Sequence, residues 1–251
     1  MQRFFPGALL GCFATFLVCS SGQTPPSRKD SVSVSAGMTK EELRLAEEFD
    51  AKMDSVRKSI ATDPKSAVKE LRGLLAVIDR HTFLDHERPQ MTTLLGHALL
   101  AAGDPKAAIG AFEQRLRMEK EDCADTADYP ASCASALLNL GTAKMYAGET
   151  EAAVEIMHSS VEKFRLQIKR EEPREARELQ HFVHLRKLGE AELLYGIFLS
   201  RSGKPTEARE ALDGCIATSR QILAEPEVQE SLRTDAQRFI DQASKQRSSL
   251  K

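Results

Sequence analysis

No tryptophan occurs in the 251 residues, and aromatic side chains of all kinds make up 6%. Glycine and proline are sparse too, at 14 and 10, which leaves few turn formers for a sandwich or barrel of many short strands. Neither charge is in large excess: 35 basic residues face 37 acidic ones, for a net charge of −2. No whole-chain field therefore draws the protein to nucleic acid or to an anionic bilayer. Marked catalytic signatures are also missing, with no Gly-x-Ser-x-Gly, no phosphate-cradling glycine loop and no His-Glu-x-x-His. The remaining composition, 41% hydrophobic and 29% charged, is that of a globular protein and favours helices.

The first forty residues differ from the rest. Arg3 is the only charge before Arg28, and Phe4 to Val18 is apolar apart from Thr15 and the breaks at Pro6, Gly7 and Gly11. A spanning helix needs roughly twenty apolar residues; this shorter, broken run reads as a signal peptide over residues 1–22. Two kinds of processing fit, a cut among Cys19, Ser20, Ser21 and Gly22, or lipid attachment to Cys19. Phe16-Leu17-Val18-Cys19 followed by Ser20-Ser21-Gly22 resembles a bacterial lipoprotein start, although Val18 stands where that signal normally has Gly, Ala or Ser. Leu9-Leu10-Gly11-Cys12 fits the box better but follows a very short hydrophobic region. Residues 23–38 offer too little apolar surface to offset ordering entropy and read as a flexible tether. The expected location is outside the cytoplasm: periplasmic, secreted, or lipid-anchored to the cell envelope.

Residues 39–251 read as one helical domain. Thr39 and Glu42 have capping-box spacing, and Leu43, Ala46, Phe49, Met53, Val56 and Ile60 follow at helical intervals. Asp63-Pro64 opens a second helix. Further helices are expected over about 89–102, 105–121, 130–147, 150–170, 173–201, 205–223 and 226–246, with no strand among them.

A repeat runs through this stretch. Gly103, Gly148 and Gly203 each close a turn, and seven residues before them stand Gly96, Gly141 and Gly196. Five residues after them stand Ala108, Ala153 and Ala208, and nine after them Phe112, Met157 and Leu212. A left-handed turn explains the first set. Close approach of two antiparallel helices explains the small residues, and the large ones fill the space beside them. A mid-helix glycine costs about 1 kcal/mol against alanine, so three in one register call for such a reason. The pattern resembles the tetratricopeptide repeat (TPR), with three good units over about 89–223. A weaker fourth lies at 48–80, where Ser55, Thr62, Ala67 and Leu71 hold the four positions. The spacing of the turns, 45 and 55 residues, exceeds that family's usual length, and its closing proline is replaced by Lys120, Arg165 and Arg220. The resemblance implies an all-α fold of antiparallel helix hairpins, a TPR-like α-solenoid of three to four units plus a C-terminal capping helix.

Few residues offer chemistry. His181 and His184 stand three apart, within reach of one metal, but Arg177 and Glu178 beside them favour a salt-bridged helix face. No metal or other cofactor is implied. Cys123 and Cys133 frame a long polar stretch that a disulfide would close in an oxidising compartment; two buried free thiols are the alternative. Cys215 reads as a buried free thiol.

The family's partners usually lie against the first helix of each unit. That register places Thr93 and His97, then Leu138, Asn139, Thr142 and Met145, then Leu193, Ile197 and Arg201 along the expected groove. Leu138, Met145, Leu193 and Ile197 would be its apolar anchors, or would pack between helices. One subgroup grips the C-terminal carboxylate of chaperone peptides; only Asn139 matches it, with Thr93, His97, Glu190 and Leu194 at its other positions. The expected function is a non-catalytic interaction module or scaffold in the cell envelope. It would bind a protein or peptide, not nucleic acid, and meet a membrane only through a lipid anchor. A helical enzyme or metal-binding protein using His181 and His184 is the alternative.

Overall fold

The computed structural model describes residues 38–120, 123, 130–171 and 179–250. The leader with Cys12 and Cys19, nearly all of the tether, and the expected helix start at Pro173 lie outside the described residues. Within them are nine α-helices, one 3-10 helix over Thr82–Glu87, and no strand. In chain order the helices are α1 (Lys40–Thr62), α2 (Pro64–Ile78), α3 (Arg88–Ala101), α4 (Pro105–Met118), α5 (Ala131–Tyr146), α6 (Thr150–Arg170), α7 (Leu179–Arg201), α8 (Pro205–Ala224) and α9 (Glu230–Ser249). The contacts fall into two compact units, divided between Ala111 and Phe112 within α4.

Local chemistry sets the helix starts in the first unit. The Thr39 hydroxyl accepts from the Glu42 N–H at 3.2 Å while the Glu42 carboxylate accepts from the Thr39 N–H at 2.7 Å, so two orphan donors are satisfied reciprocally. Asp63 caps α2 by accepting from the Ser66 N–H at 3.1 Å, and Pro64 fills the first turn, where its missing N–H is not needed. One core joins Phe49, Met53 and Val56 of α1, Ala67, Leu71 and Leu74 of α2, and Met91, Leu94 and Ala98 of α3.

In the second unit each helix from α5 to α9 packs on the next, and α7 also touches α5 and α9. Its buried residues accordingly lie all round the helix, from Phe182 to Leu199.

The three turn glycines have φ of +82° (Gly103), +84° (Gly148) and +76° (Gly203), and no other described residue has positive φ. Each turn is closed by the six-residue bond of a Schellman motif: Asp104 N–H to Leu99 O at 2.9 Å, Glu149 N–H to Lys144 O at 2.9 Å, and Lys204 N–H to Leu199 O at 3.0 Å. The mid-helix glycines of the second unit mark the close approaches. A Cβ on Gly141 would meet Met157 Cε at 3.2 Å, and one on Gly196 would meet Leu212 Cγ at 2.7 Å and Ala208 O at 3.2 Å. Glycine, alanine and the large residue thus form one contact in both hairpins.

Two helices, α4 and α9, differ from the periodicity by more than two residues. Helix α4 ends at Met118 rather than 121, where the Glu119 carboxylate takes both Arg115 and Ser132 and turns the chain toward α5. Helix α9 starts at Glu230 rather than 226, because Val228 is drawn into the core and Gln229 supplies the first carbonyl of the helix.

Candidate functional site

The expected groove residues divide between surface and core. In the first unit Thr93 and His97 are half-buried on α3, and the Thr93 hydroxyl donates to Pro89 O at 3.0 Å. In the second unit Leu138, Met145 and Leu193 are only 3%, 8% and 0% exposed, and Thr142 is buried with its hydroxyl on Leu138 O. These four are core positions, which corrects their assignment to an open groove. The reason is the packing of α5 on both α6 and α7 and of α7 on four neighbours, so that the face expected to be free is covered. Asn139 and Ile197 remain half-buried and Arg201 is exposed.

Glu190 also differs from its expected place on the groove. It is buried and receives the Lys187 ammonium at 3.1 Å, and burial pushes that ammonium below the usual lysine range. Near it Arg186, itself buried, donates to Asp235 of α9 at 3.2 Å, and Arg238 donates to the other oxygen of that carboxylate at 2.8 Å.

His181 and His184 meet the Glu171 carboxylate at the end of α6, each Nδ1 on one of its oxygens. The side chains are 13%, 12% and 8% exposed, so this is a mostly buried clasp rather than a solvated face. A carboxylate only accepts, so both Nδ1 atoms carry protons. Among the described residues no group of three or more His, Cys, Asp or Glu is arranged to hold a metal ion. Burial pushes the Glu171 carboxyl up, but the hydrogen bonds from His181 and His184, with Gln167 at 3.3 Å, outweigh it and hold the group below its ordinary 4.5. A depressed carboxylate stabilises the fold above its unfolded value and loses that contribution as pH falls through its folded one. The wild-type protein should therefore exceed Glu171→Gln by about 1–3 kcal/mol at neutral pH. Urea melts across pH 3 to 7 should show the gap closing on the acid side, and a gap constant with pH would refute this role.

Cys123 and Cys133 are joined in a disulfide, with Cα atoms 5.1 Å apart. Cys133 is buried on α5, and Cys123 is fixed through its carbonyl, which accepts from Lys163 Nζ at 2.9 Å. Closing a loop of about eleven residues restricts the unfolded chain by about 2–3 kcal/mol. Cys123→Ala with Cys133→Ala should lower stability by that amount, and reductant should bring the wild type to the same level. A wild type insensitive to reductant would show that no bridge forms. Cys215 is buried, with its thiol pushed up to about 12 first by burial and then by the charge of Glu192.

Comparison with known proteins bears on the fold. A crystal structure of a kinesin light chain-like protein from Podosopora anserina, built of nearly identical TPR-like repeats, matches with a TM-score of 0.51 and 18% identity, over 80% of this chain and 87% of that one. MamA matches at a TM-score of 0.42 and 16% identity, over 77% of this chain and 94% of that one. No family model matches the chain, and no curated protein sequence does. Together with the three glycine turns, the first likeness defines the class: an all-α, TPR-like helical-repeat fold.

Proposed function

We propose that the chain is a non-catalytic protein-interaction module of the cell envelope, holding a peptide or a partner helix against the first helices of successive hairpins in its second unit. The observation that carries this reading is the contact of α5 with α7, two such helices, which carry the half-buried Asn139 and Ile197 and the exposed Arg201. A partner would dock through hydrogen bonds to Asn139 and the Arg201 guanidinium and apolar contact with the Ile197 side chain. The envelope location draws on the apolar leader, the lipoprotein-like Cys19 and the disulfide. Among the described residues no helix is long and apolar enough to cross a membrane; the attachment point in this reading is a lipid at Cys19.

A photo-crosslinking residue at Asn139 tests the face in cells. It should yield a defined adduct that Arg201→Glu abolishes, whereas the same probe at the exposed Glu155 of α6 should yield none. Equal adducts at both positions, or none at Asn139, would overturn the assignment. Mass spectrometry of the mature N-terminus decides the location separately, as a lipid-modified Cys19 or a cut near Gly22; an intact leader in the cytoplasmic fraction would remove the envelope from the proposal.

A further inference from the structure

Glu192 is placed where an ionised group is hard to keep. It stands on α7 between α6 and α8, and its side chain is 3% exposed. The carboxylate occupies a notch in α8 that exists because residue 214 is glycine: a Cβ there would lie 3.0 Å from Oε1 and 3.2 Å from Cδ. From α6, Arg165 donates to Oε1 at 2.8 Å, but this guanidinium is 49% exposed and is shared with the exposed Glu162 at 3.0 Å. From α8, the Thr218 hydroxyl donates to Oε2 at 2.8 Å, and the buried Cys215 thiol lies close enough to feel the charge. One half-solvated cation and one neutral hydroxyl thus compensate a buried negative charge, with Glu162 opposing it.

We propose that Glu192 is a proton-uptake site that tightens the packing of α6, α7 and α8 as the surroundings acidify. The proton goes to Oε2. The new O–H donates to Thr218 Oγ1, whose own hydroxyl proton turns away toward the helix carbonyl four residues back. Oε1 stays as a neutral acceptor of the Arg165 N–H, and the guanidinium charge is then balanced by Glu162 and solvent. No charge then remains in the notch, and the desolvation penalty of the carboxylate is removed.

The direction of titration agrees. Burial raises the Glu192 carboxyl above the ordinary range and outweighs the lowering by Arg165 and Thr218. A group whose folded pKa is raised binds its proton more tightly in the closed state than when helix opening exposes it. Closure therefore strengthens as pH falls through the folded value and levels off at the unfolded one.

Hydrogen exchange on the full chain, corrected for intrinsic rates, tests this across pH 5 to 8. In the wild type, exchange of peptides covering α6 and α8 should slow by about fivefold toward pH 5, on the scale of the difference between charged and neutral hydrogen bonding. Glu192→Gln, a neutral isostere, should exchange slowly at every pH. Arg165→Met, which leaves the carboxylate without its cation, should enlarge the pH dependence. A bridge that merely holds the helices together predicts the opposite, with both variants loosened alike at neutral pH. That result, or wild-type exchange flat with pH, would overturn the proposal. If either variant fails to fold, the titration of the Glu192 side-chain carboxyl by carbon NMR decides: a midpoint at or below the ordinary carboxylate value is equally fatal.

Discussion

Gly196→Val should lower the stability of the second unit by about 2–3 kcal/mol, whereas Gly141→Ala, at the equivalent position of the preceding hairpin, should be close to neutral. The difference lies in what a new side chain would strike. At Gly196 a Cβ would lie 2.7 and 2.8 Å from Leu212 Cγ and Cδ2 and 3.2 Å from the Ala208 carbonyl. Leu212 is wholly buried and the carbonyl belongs to a helix, so relief requires α7 and α8 to move apart. At Gly141 the nearest atom is Met157 Cε at 3.2 Å, the end of a flexible side chain that can turn aside. There the gain in helix propensity, about 1 kcal/mol, offsets the crowding. Equilibrium urea unfolding of both variants measures the contrast. Equal losses at the two sites would mean that the approach is as unyielding at Gly141 as at Gly196.

Leu193→Asp should be more damaging still, by about 4 kcal/mol or more, because it puts an unpaired charge at a position with no solvent access. Ile197→Asp, four residues along the same helix but half-buried, should lose about 1 kcal/mol and keep the full helical signal. Thermal melts followed by far-ultraviolet circular dichroism separate the two. A cooperative, near-normal melt for Leu193→Asp would return that residue to the binding surface.

The backbone of this protein was far more legible in its sequence than its surface. Caps and turns are local: Thr39 with Glu42, Asp63 before Pro64, and the glycines at 103, 148 and 203 each determine their geometry through atoms within six residues. The close approaches at Gly141 and Gly196 were legible as well, since nothing but crowding explains a glycine there. Which apolar residues face solvent was not. Periodicity assigns an inner and an outer face only when a helix has one covered side, and α7 is covered by four neighbours. Leu193 and Ile197 therefore look alike in sequence and differ in burial. The polar clusters were hidden for another reason. Glu171 is separated from His181 by 10 residues and Arg165 from Glu192 by 27, distances over which spacing carries no signal. The faint trace was Glu192 within the apolar run of α7 opposite a glycine on α8, a mark that has meaning only once the two helices are set side by side.

The turn glycines share one geometry although the chain between them runs to 45 residues in one interval and 55 in the next. All that variation is therefore taken up away from the turns, toward the far ends of the hairpins where α4 gives way to α5 and α6 to α7. Each hairpin has a uniform end and a ragged one. Peptide tags, reporter domains or further natural insertions belong at the ragged ends, where added length disturbs neither the left-handed residues nor the glycine contacts. At the uniform end even one extra residue would shift the register of a hairpin and move Gly141 or Gly196 away from the side chain it accommodates.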